Sequence, residues 1–487
     1  MADSIVVRRL GARTFRQDDQ QWFACASNDW NPMHMDPVLA RRLLTGRPVT
    51  HGIHTLLSAL DLWQSESDAS LVAVQCEFSN PVNVDDTVVF TSHEGRPGQS
   101  TVLATVDGLT CTHVSIDTIE SGVPSSQPTG NSVAGTTCLG LLEVPLAGAP
   151  AEQVGRTFVL AASNAEQLAG RFPNLAAALL PQRVAAIATL SRFVGMVCPG
   201  LHSVFSSVRF AIDDQAAAGN ELTFFVKKYD ARFRLYIIAF EGCIRGEIRA
   251  FLRPPPQLQP SMRDVSAQVS AGEFGGTRSL VLGGSRGLGE TVAKILAAGH
   301  GHVIVTHASG TDDARRVADE INALRRGHCT TLKLDLNTDT FDGLGIDAGS
   351  LDSVYFFATP RIFRKKTGLF DRSLFDEFIA FYVDRFAELC KWLEEGAWGR
   401  RINVYLPSTV FIADRPKGMT EYAMAKAAAE LLAEDLNRSL TRVSVVCSRL
   451  PRLATDQTVL VTTPATEPNL DVLMRVVRDV SGRVVRA

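Results

Sequence analysis

The sequence predicts two fold classes in one chain. The N-terminal half is α+β, made of two copies of one layout, and the C-terminal half is α/β with a doubly wound parallel sheet. Three observations predict this. Residues 51–63 place Ile53, Leu56, Leu57 and Leu60 on one face of a 3.6-residue period, and the strand-like runs LVAVQCEF, TVVFTSHE, STVLATVDG and LTCTHVSI follow. Beyond a Gly/Pro/Ser-rich stretch the same order recurs. From Arg278 onward, short apolar strands alternate with helical patterns, as a parallel sheet with crossover helices requires.

A chain of 487 residues is long enough for two to four domains. Its 45% apolar and 21% charged residues suit a globular protein, and a net charge of −3 gives no reason to expect nucleic acid or an anionic membrane as partner. No apolar run reaches the ~18–20 residues of a spanning helix. Met1 to Thr14 carries Arg8 and Arg9 without an apolar core, so no secretory signal is expected. The nine cysteines include no C-x-x-C pair, which argues against a zinc site or disulfide framework and points to a reducing, cytoplasmic setting.

The chemistry of the first half centres on Phe23 to His34, F-A-C-A-S-N-D-W-N-P-M-H, answered by His51-Gly52. Pro32 fixes its own φ and pushes Asn31 out of helical space, so the segment is expected to be a bent loop. Such a loop can aim the Asp29 carboxylate and the His34 imidazole at one small volume, where they can hold a water between them. Val38 to Leu44 is expected as a short helix. The helix of residues 51–63 begins at the H-G pair, which puts the Gly52 N–H among the unpaired donors of a helix N-terminus. His51 and His54 are expected to be structural or to line the pocket, with no metal. The D-x-N-P-x-H spacing followed by H-G resembles the MaoC-like (R)-specific enoyl-CoA hydratases, which have a hotdog fold. The resemblance implies that Asp29 and His34 are catalytic and that the Gly52 N–H polarises the thioester carbonyl.

Ser121 to Thr137 is expected to be a linker, and a second copy follows it. Thr157 to Leu180 stands where the catalytic loop and first helix stood. Val184, Ile187, Ala188, Ser191 and Val194 mark another central helix, and four strand-like runs end at Leu252. Ser163-Asn164-Ala165 replaces the acid-containing turn, and no histidine follows at the required distance. This copy resembles a hotdog that kept its shape and lost the pair. The stretch Ser191 to Ser203 resembles the family's helix end and following turn. A hotdog of this family has its channel at the interface with a second one, so the silent copy is expected to complete the tunnel.

Pro254-Pro255-Pro256 ends the last strand, and the region to Gly276 is expected to be loop. The run S-L-V-L-G-G-S-R-G-L-G-E then carries an apolar strand into Gly283, Gly287 and Gly289 and on into a helix, a turn that lets backbone approach a pyrophosphate. Farther on, a strand ends at Ser408, and Tyr422 and Lys426 lie four apart on one helical face. An ammonium there is expected to lower the phenol pKa. Together these residues resemble the short-chain dehydrogenase/reductase family. The resemblance implies a Rossmann-type sheet, a Ser408–Tyr422–Lys426 set, and a cofactor seat at Gly283, Ser285, Arg286, Gly287, Leu288, Gly289, Asp335 and Ala358, together with Tyr422 and Lys426. In place of the family's relay Asn the chain has Tyr382, and in place of its Pro-Gly it has Pro451-Arg452. The second strand ends Thr306-His307-Ala308 with no acid for an adenosine ribose, while Arg286 can meet a 2′-phosphate, so NADPH is expected.

The expected domains are 1–120, a hotdog with the catalytic pair; 138–253, a degenerate hotdog; and 277–487, a reductase domain. The expected function is an enoyl thioester hydratase (3-hydroxyacyl dehydratase) fused to an NADPH-dependent 3-oxoacyl thioester reductase. Its substrate is carried on coenzyme A or an acyl carrier protein, and the resemblance implies a dimer or tetramer. The alternatives are a hydratase whose C-terminal domain is a nucleotide-binding or assembly module, and a thioester-binding scaffold with neither activity.

Overall fold

The structure is a computed structural model that describes residues 7–42, 46–119, 145–146, 155–212, 219–363, 368–458 and 467–482. The chain divides into two compact units, residues 1–255 with 460–462, and residues 256–459 with 463–487. The Ser121–Thr137 linker lies outside the described residues. No helix among the described residues is long and apolar enough to cross a membrane.

In the first unit, strands β1 (Val7–Thr14), β2 (Ser70–Phe78), β3 (Thr87–Glu94), β4 (Gln99–Val106) and β5 (Leu109–Ile119) form one copy. Strands β6 (Gly155–Val159), β7 (Ser203–Ile212), β8 (Glu221–Asp230), β9 (Leu235–Gly242) and β10 (Ile244–Leu252) form the other. They join in one 10-stranded sheet, ordered β1-β3-β4-β5-β2-β7-β10-β9-β8-β6. The order is the same read outward from the centre in either direction, which is the duplication expressed as topology. The copies meet where β2 runs antiparallel to β7, with Val74 opposite Phe210 and Cys76 opposite Val208. Each copy lays an apolar helix on the sheet. In Gly52–Gln64, Ile53, Leu56, Leu57 and Leu60 are fully buried, and in Pro181–Arg192 so are Val184, Ile187 and Leu190. Full burial of one such side chain contributes about 1.5–3 kcal/mol, and residues of both copies share one hydrophobic core.

Four sequence expectations need correction. Phe23 to Ser27 is the end of a helix, Gln17–Ser27, and only Asn28 to Asn31 is irregular before the turn Pro32–Met35. The reason is that Pro32 sits at the first helical position, where its ring is tolerated, so it starts a turn of helix. The expected helix from Val38 to Leu44 is only Pro37–Ala40, capped by Asp36, and 43–45 lie outside the described residues. Strand β1 was not foreseen: as an edge strand it buries little, so VRRLGART shows no alternation. The stretch before Gly276 contains a helix, Met262–Ser266, with a capping box between Ser261 and Asp264.

The second unit holds β11 (Arg278–Leu282), β12 (His302–His307), β13 (Cys329–Lys333), β14 (Ser353–Phe356), β15 (Ile402–Thr409) and β16 (Val443–Leu450). They form a parallel sheet ordered β13-β12-β11-β14-β15-β16. This is a Rossmann-type doubly wound sheet whose strand order reverses between β11 and β14, the place where such sheets bind ligands. Helix Gly287–Ala298 starts directly after the glycine turn that leaves β11.

Candidate functional sites

In the first unit the turn after helix Gln17–Ser27 is made by Asn28, whose φ of 59° is left-handed and reverses the chain. Asp29 follows, almost fully buried. Its Oδ1 accepts from the Asn31 N–H at 3.2 Å, and its Oδ2 accepts from the Ser191 hydroxyl at 2.6 Å. The Asn31 side chain caps the next turn through the Met33 N–H and donates to the Gly195 carbonyl at 2.7 Å. The second copy therefore clasps the loop of the first. Gly195 is required for this fit, since a Cβ there would lie 2.3 Å from Asp29 Oδ1.

His34 is buried, with Nδ1 2.6 Å from the Val49 carbonyl. A carbonyl only accepts, so Nδ1 carries the proton and Nε2 keeps its lone pair. Burial pulls the His34 pKa down, opposed by Asp29, and pulls the Asp29 carboxyl up, opposed by His34 and the Ser191 bond. The pKa values of the two groups are thus drawn toward each other, as suits a pair that passes a proton between them.

His51 packs directly against the pair. Its ring stacks on His34 at 3.8 Å, and Nε2 lies 3.0 Å from the Asp29 carbonyl. Nδ1 lies 3.0 Å from Gln20 Oε1, which also accepts from the His51 N–H. Potential ligand atoms of Asp29, His34 and His51 lie within 4.8 Å of one another, but both His51 nitrogens are engaged in these contacts. His54 stacks on Phe23 at 4.8 Å inside the core. Gly52 opens the helix Gly52–Gln64, and a Cβ there would approach the Phe78 ring to 3.1 Å. Its N–H is one of the orphan donors of the helix end.

In the second unit a cavity of about 430 Å³ lies at the switch point, lined by Gly283, Ser285, Arg286, Gly287, Leu288, Gly289, Asp335, Ala358, Ser408, Tyr422 and Lys426, among others. The glycines are built for close approach. Gly283 has φ +75° and a Cβ there would be 2.6 Å from the Ala358 nitrogen, while one on Gly289 would be 2.4 Å from the Gly283 carbonyl. Arg286 precedes the helix, its guanidinium 3.7 Å from Asp456. Asp335 accepts from the Asn337 N–H and side chain.

Around Tyr422 the sequence reading needs one correction. Ser408 and Thr409 both line the cavity; Ser408 donates its hydroxyl to Glu430 at 2.5 Å, and Thr409 is hydrogen-bonded to Tyr422. The expected lowering of the phenol by an ammonium fails. Burial pushes Tyr422 up, and burial lowers Lys426 to about 7. Lys426 Nζ stands 3.8 Å from the Tyr382 ring centre but 5.9 Å from that of Tyr422, and donates to the Pro407 carbonyl at 2.8 Å. Tyr382, on a π-helical turn at Ala380–Asp384, bonds Thr359 through its hydroxyl at 2.5 Å.

Ser191, Gly195 and Thr409 are the residues at these sites to which the sequence reading gave no role, and only the first two lay in a stretch it had singled out.

Residues 6–109 match the family described as MaoC like domain. Among curated proteins, none matches the chain. Among solved structures, one described as a MaoC-like dehydratase is similar at TM-score 0.35 and 13% identity, over 50% of this chain and 97% of that one. FolM alternative dihydrofolate reductase 1 from Brucella suis, in complex with NADP, is similar at TM-score 0.36 and 19% identity, over 42% of this chain and 88% of that one. A short chain dehydrogenase/reductase family protein is similar at TM-score 0.31 and 23% identity, over 34% and 70% respectively.

Proposed function

With residues 6–109 a MaoC-like domain, we propose that the chain is a bifunctional enzyme of 3-hydroxyacyl thioesters, a hydratase (dehydratase) joined to an NADPH-dependent 3-oxoacyl thioester reductase. The observation that carries this reading is the buried Asp29–His34 pair, its carboxyl drawn up and its imidazole drawn down. In hydration, the pair takes a proton from a bound water as the water oxygen adds to C3 of the enoyl thioester. The Gly52 N–H receives the enolate charge on the thioester oxygen, and the same proton is returned to C2. Dehydration is the reverse. The second copy supplies Ser191 and Gly195, which hold Asp29, in place of a second acid–base pair.

The glycine turn at Gly283–Gly289, where added Cβ atoms would collide with backbone, suits a dinucleotide pyrophosphate. Arg286 would meet a 2′-phosphate, and Asp335 and Ala358 would flank the adenine and ribose side. A bound nicotinamide supplies the hydride. Tyr422 donates the proton to the C3 oxygen, Thr409 fixes the phenol by hydrogen bond, and Lys426 lies on the same helix face below it. A second reading, hydratase activity with a C-terminal module that binds nucleotide without turnover, is favoured by the Tyr382 ring that faces Lys426.

Crotonyl and acetoacetyl thioesters assayed separately, with and without NADPH, test both. The proposal expects nucleotide-independent hydration of the first and NADPH-dependent reduction of the second. Hydration without reduction selects the second reading, and neither activity with any acyl carrier contradicts both.

A further inference from the structure

Arg253 directly follows β10, and its backbone N–H donates to the His202 carbonyl at 3.0 Å. The carbonyls just before it, Gly200 and Leu201, accept from the Asn31 side chain at 3.3 and 3.4 Å. His202 and Arg253 therefore stand one residue beyond the clasp on the Asp29–His34 loop. A second line of contacts leads to the same strands. Gly52 abuts the Phe78 ring, Phe78 packs edge-on against Phe205 at 5.3 Å, and Phe205 pairs with Ala250 in the β7–β10 ladder.

Both side chains lack partners among the described residues. Arg253 Nε and His202 Nδ1 are sealed from solvent without a hydrogen bond, although the Arg253 residue as a whole is partly exposed. No carboxylate offsets the guanidinium, and burial alone pushes it down to about 10. Its charge reaches His34 and His202 and holds both imidazoles down. A partly buried cation without a counter-charge is costly to keep. It becomes favourable when an anion completes it.

We propose that Arg253, with His202 beside it, forms an anion subsite next to the acid–base pair, which binds an oxyanion carried by the thioester substrate. The inference rests on the hydratase reading of that pair. Two parts of such a substrate carry this chemistry, the phosphate of a phosphopantetheine arm and a carboxylate at the far end of the acyl group.

Binding of saturated thioesters to the full chain tests the subsite, because these ligands cannot be hydrated. Three probes suffice: butanoyl-pantetheine, butanoyl-4′-phosphopantetheine and glutaryl-pantetheine. The wild type is expected to bind at least one of the two anionic probes ~10-fold or more tighter than the neutral one, as a charge-assisted hydrogen bond provides. Arg253→Ala and Arg253→Gln should erase that preference, and Arg253→Lys should keep part of it. A preference for the phosphorylated probe identifies the pantetheine arm as the source, and one for the glutaryl probe identifies the acyl end. No preference in the wild type, or one that survives Arg253→Ala and Arg253→Gln alike, overturns the subsite. Failure of the hydratase reading shows separately, as absent crotonyl turnover.

Discussion

The two copies of the N-terminal unit share a layout and differ in what they bring to one place. The first brings a polar turn, with Asp29 and His34 aimed inward. The second has Ser163-Asn164-Ala165 at the matching point, folded into helix Ala162–Arg171, where Asn164 donates to the Ala26 carbonyl at 2.9 Å. Its own central helix, Pro181–Arg192, offers Ser191 to Asp29 and runs on into a π-helical turn, Phe193–Val197, whose Gly195 abuts the same carboxylate. The difference shows how a duplicated fold can divide labour. One copy keeps the titratable pair, and the other becomes its wall and its hydrogen-bond donor.

The sharpest break in that comparison is to remove the pair from the first copy. Asp29→Asn and His34→Ala should each lower hydration by ~10²–10⁴-fold with the fold retained, measured as turnover of a crotonyl thioester alongside a thermal melt. The next largest effect should come from the silent copy. Gly195→Ala puts a methyl group where Asp29 Oδ1 stands, and a displacement of about 1 Å at a reacting group costs ~10²-fold in rate. Full activity in that variant would mean that the second copy does not position the acid.

The C-terminal unit offers a similar contrast between adjacent residues. Thr409→Val should reduce 3-oxoacyl reduction by ~10-fold or more through loss of the hydrogen bond to Tyr422, while Ser408→Ala, which frees only Glu430, should change it little. The reverse order would restore the sequence-based choice of Ser408. Ser191→Ala should cost less, roughly 10-fold by loss of one hydrogen bond to a charged group. That bond favours the ionised carboxylate, so its loss should also move the acid limb of the hydration profile to higher pH.

An effect of a different kind concerns stability. Lys426 titrates near 7 in the folded unit, below its ordinary 10.5, so the unfolded chain binds the extra proton between these values. Stability of the C-terminal unit should therefore rise with pH across that window, by up to about 1.4 kcal/mol per pH unit, and Lys426→Met should flatten the rise in urea midpoints.

What the sequence made legible was local. The Asn31-Pro32 turn, the helix period after His51 and the glycine turn after β11 are fixed by neighbours within a few residues, and they appear where the pattern puts them. What it hid was set by distance or by facing. Ser191 and Gly195 meet Asp29 across 162 residues or more, which no local spacing encodes. Ser408 and Thr409 both line the cavity, and which partner each hydroxyl takes, Glu430 or Tyr422, is set by residues 13 or more positions away that no local pattern shows. The partners that fix His51 in the pocket, Gln20 and the Asp29 carbonyl, come from outside its own helix.

The most direct test is the product that the full-length chain forms from a crotonyl thioester in deuterated water, without nucleotide. Hydration by the Asp29–His34 pair, with the (R) specificity that the resemblance implies, predicts a 3-hydroxybutanoyl thioester of (R) configuration at C3, carrying one solvent deuterium at C2, and none from Asp29→Asn. An (S) product, or undiminished product from Asp29→Asn, would contradict the account.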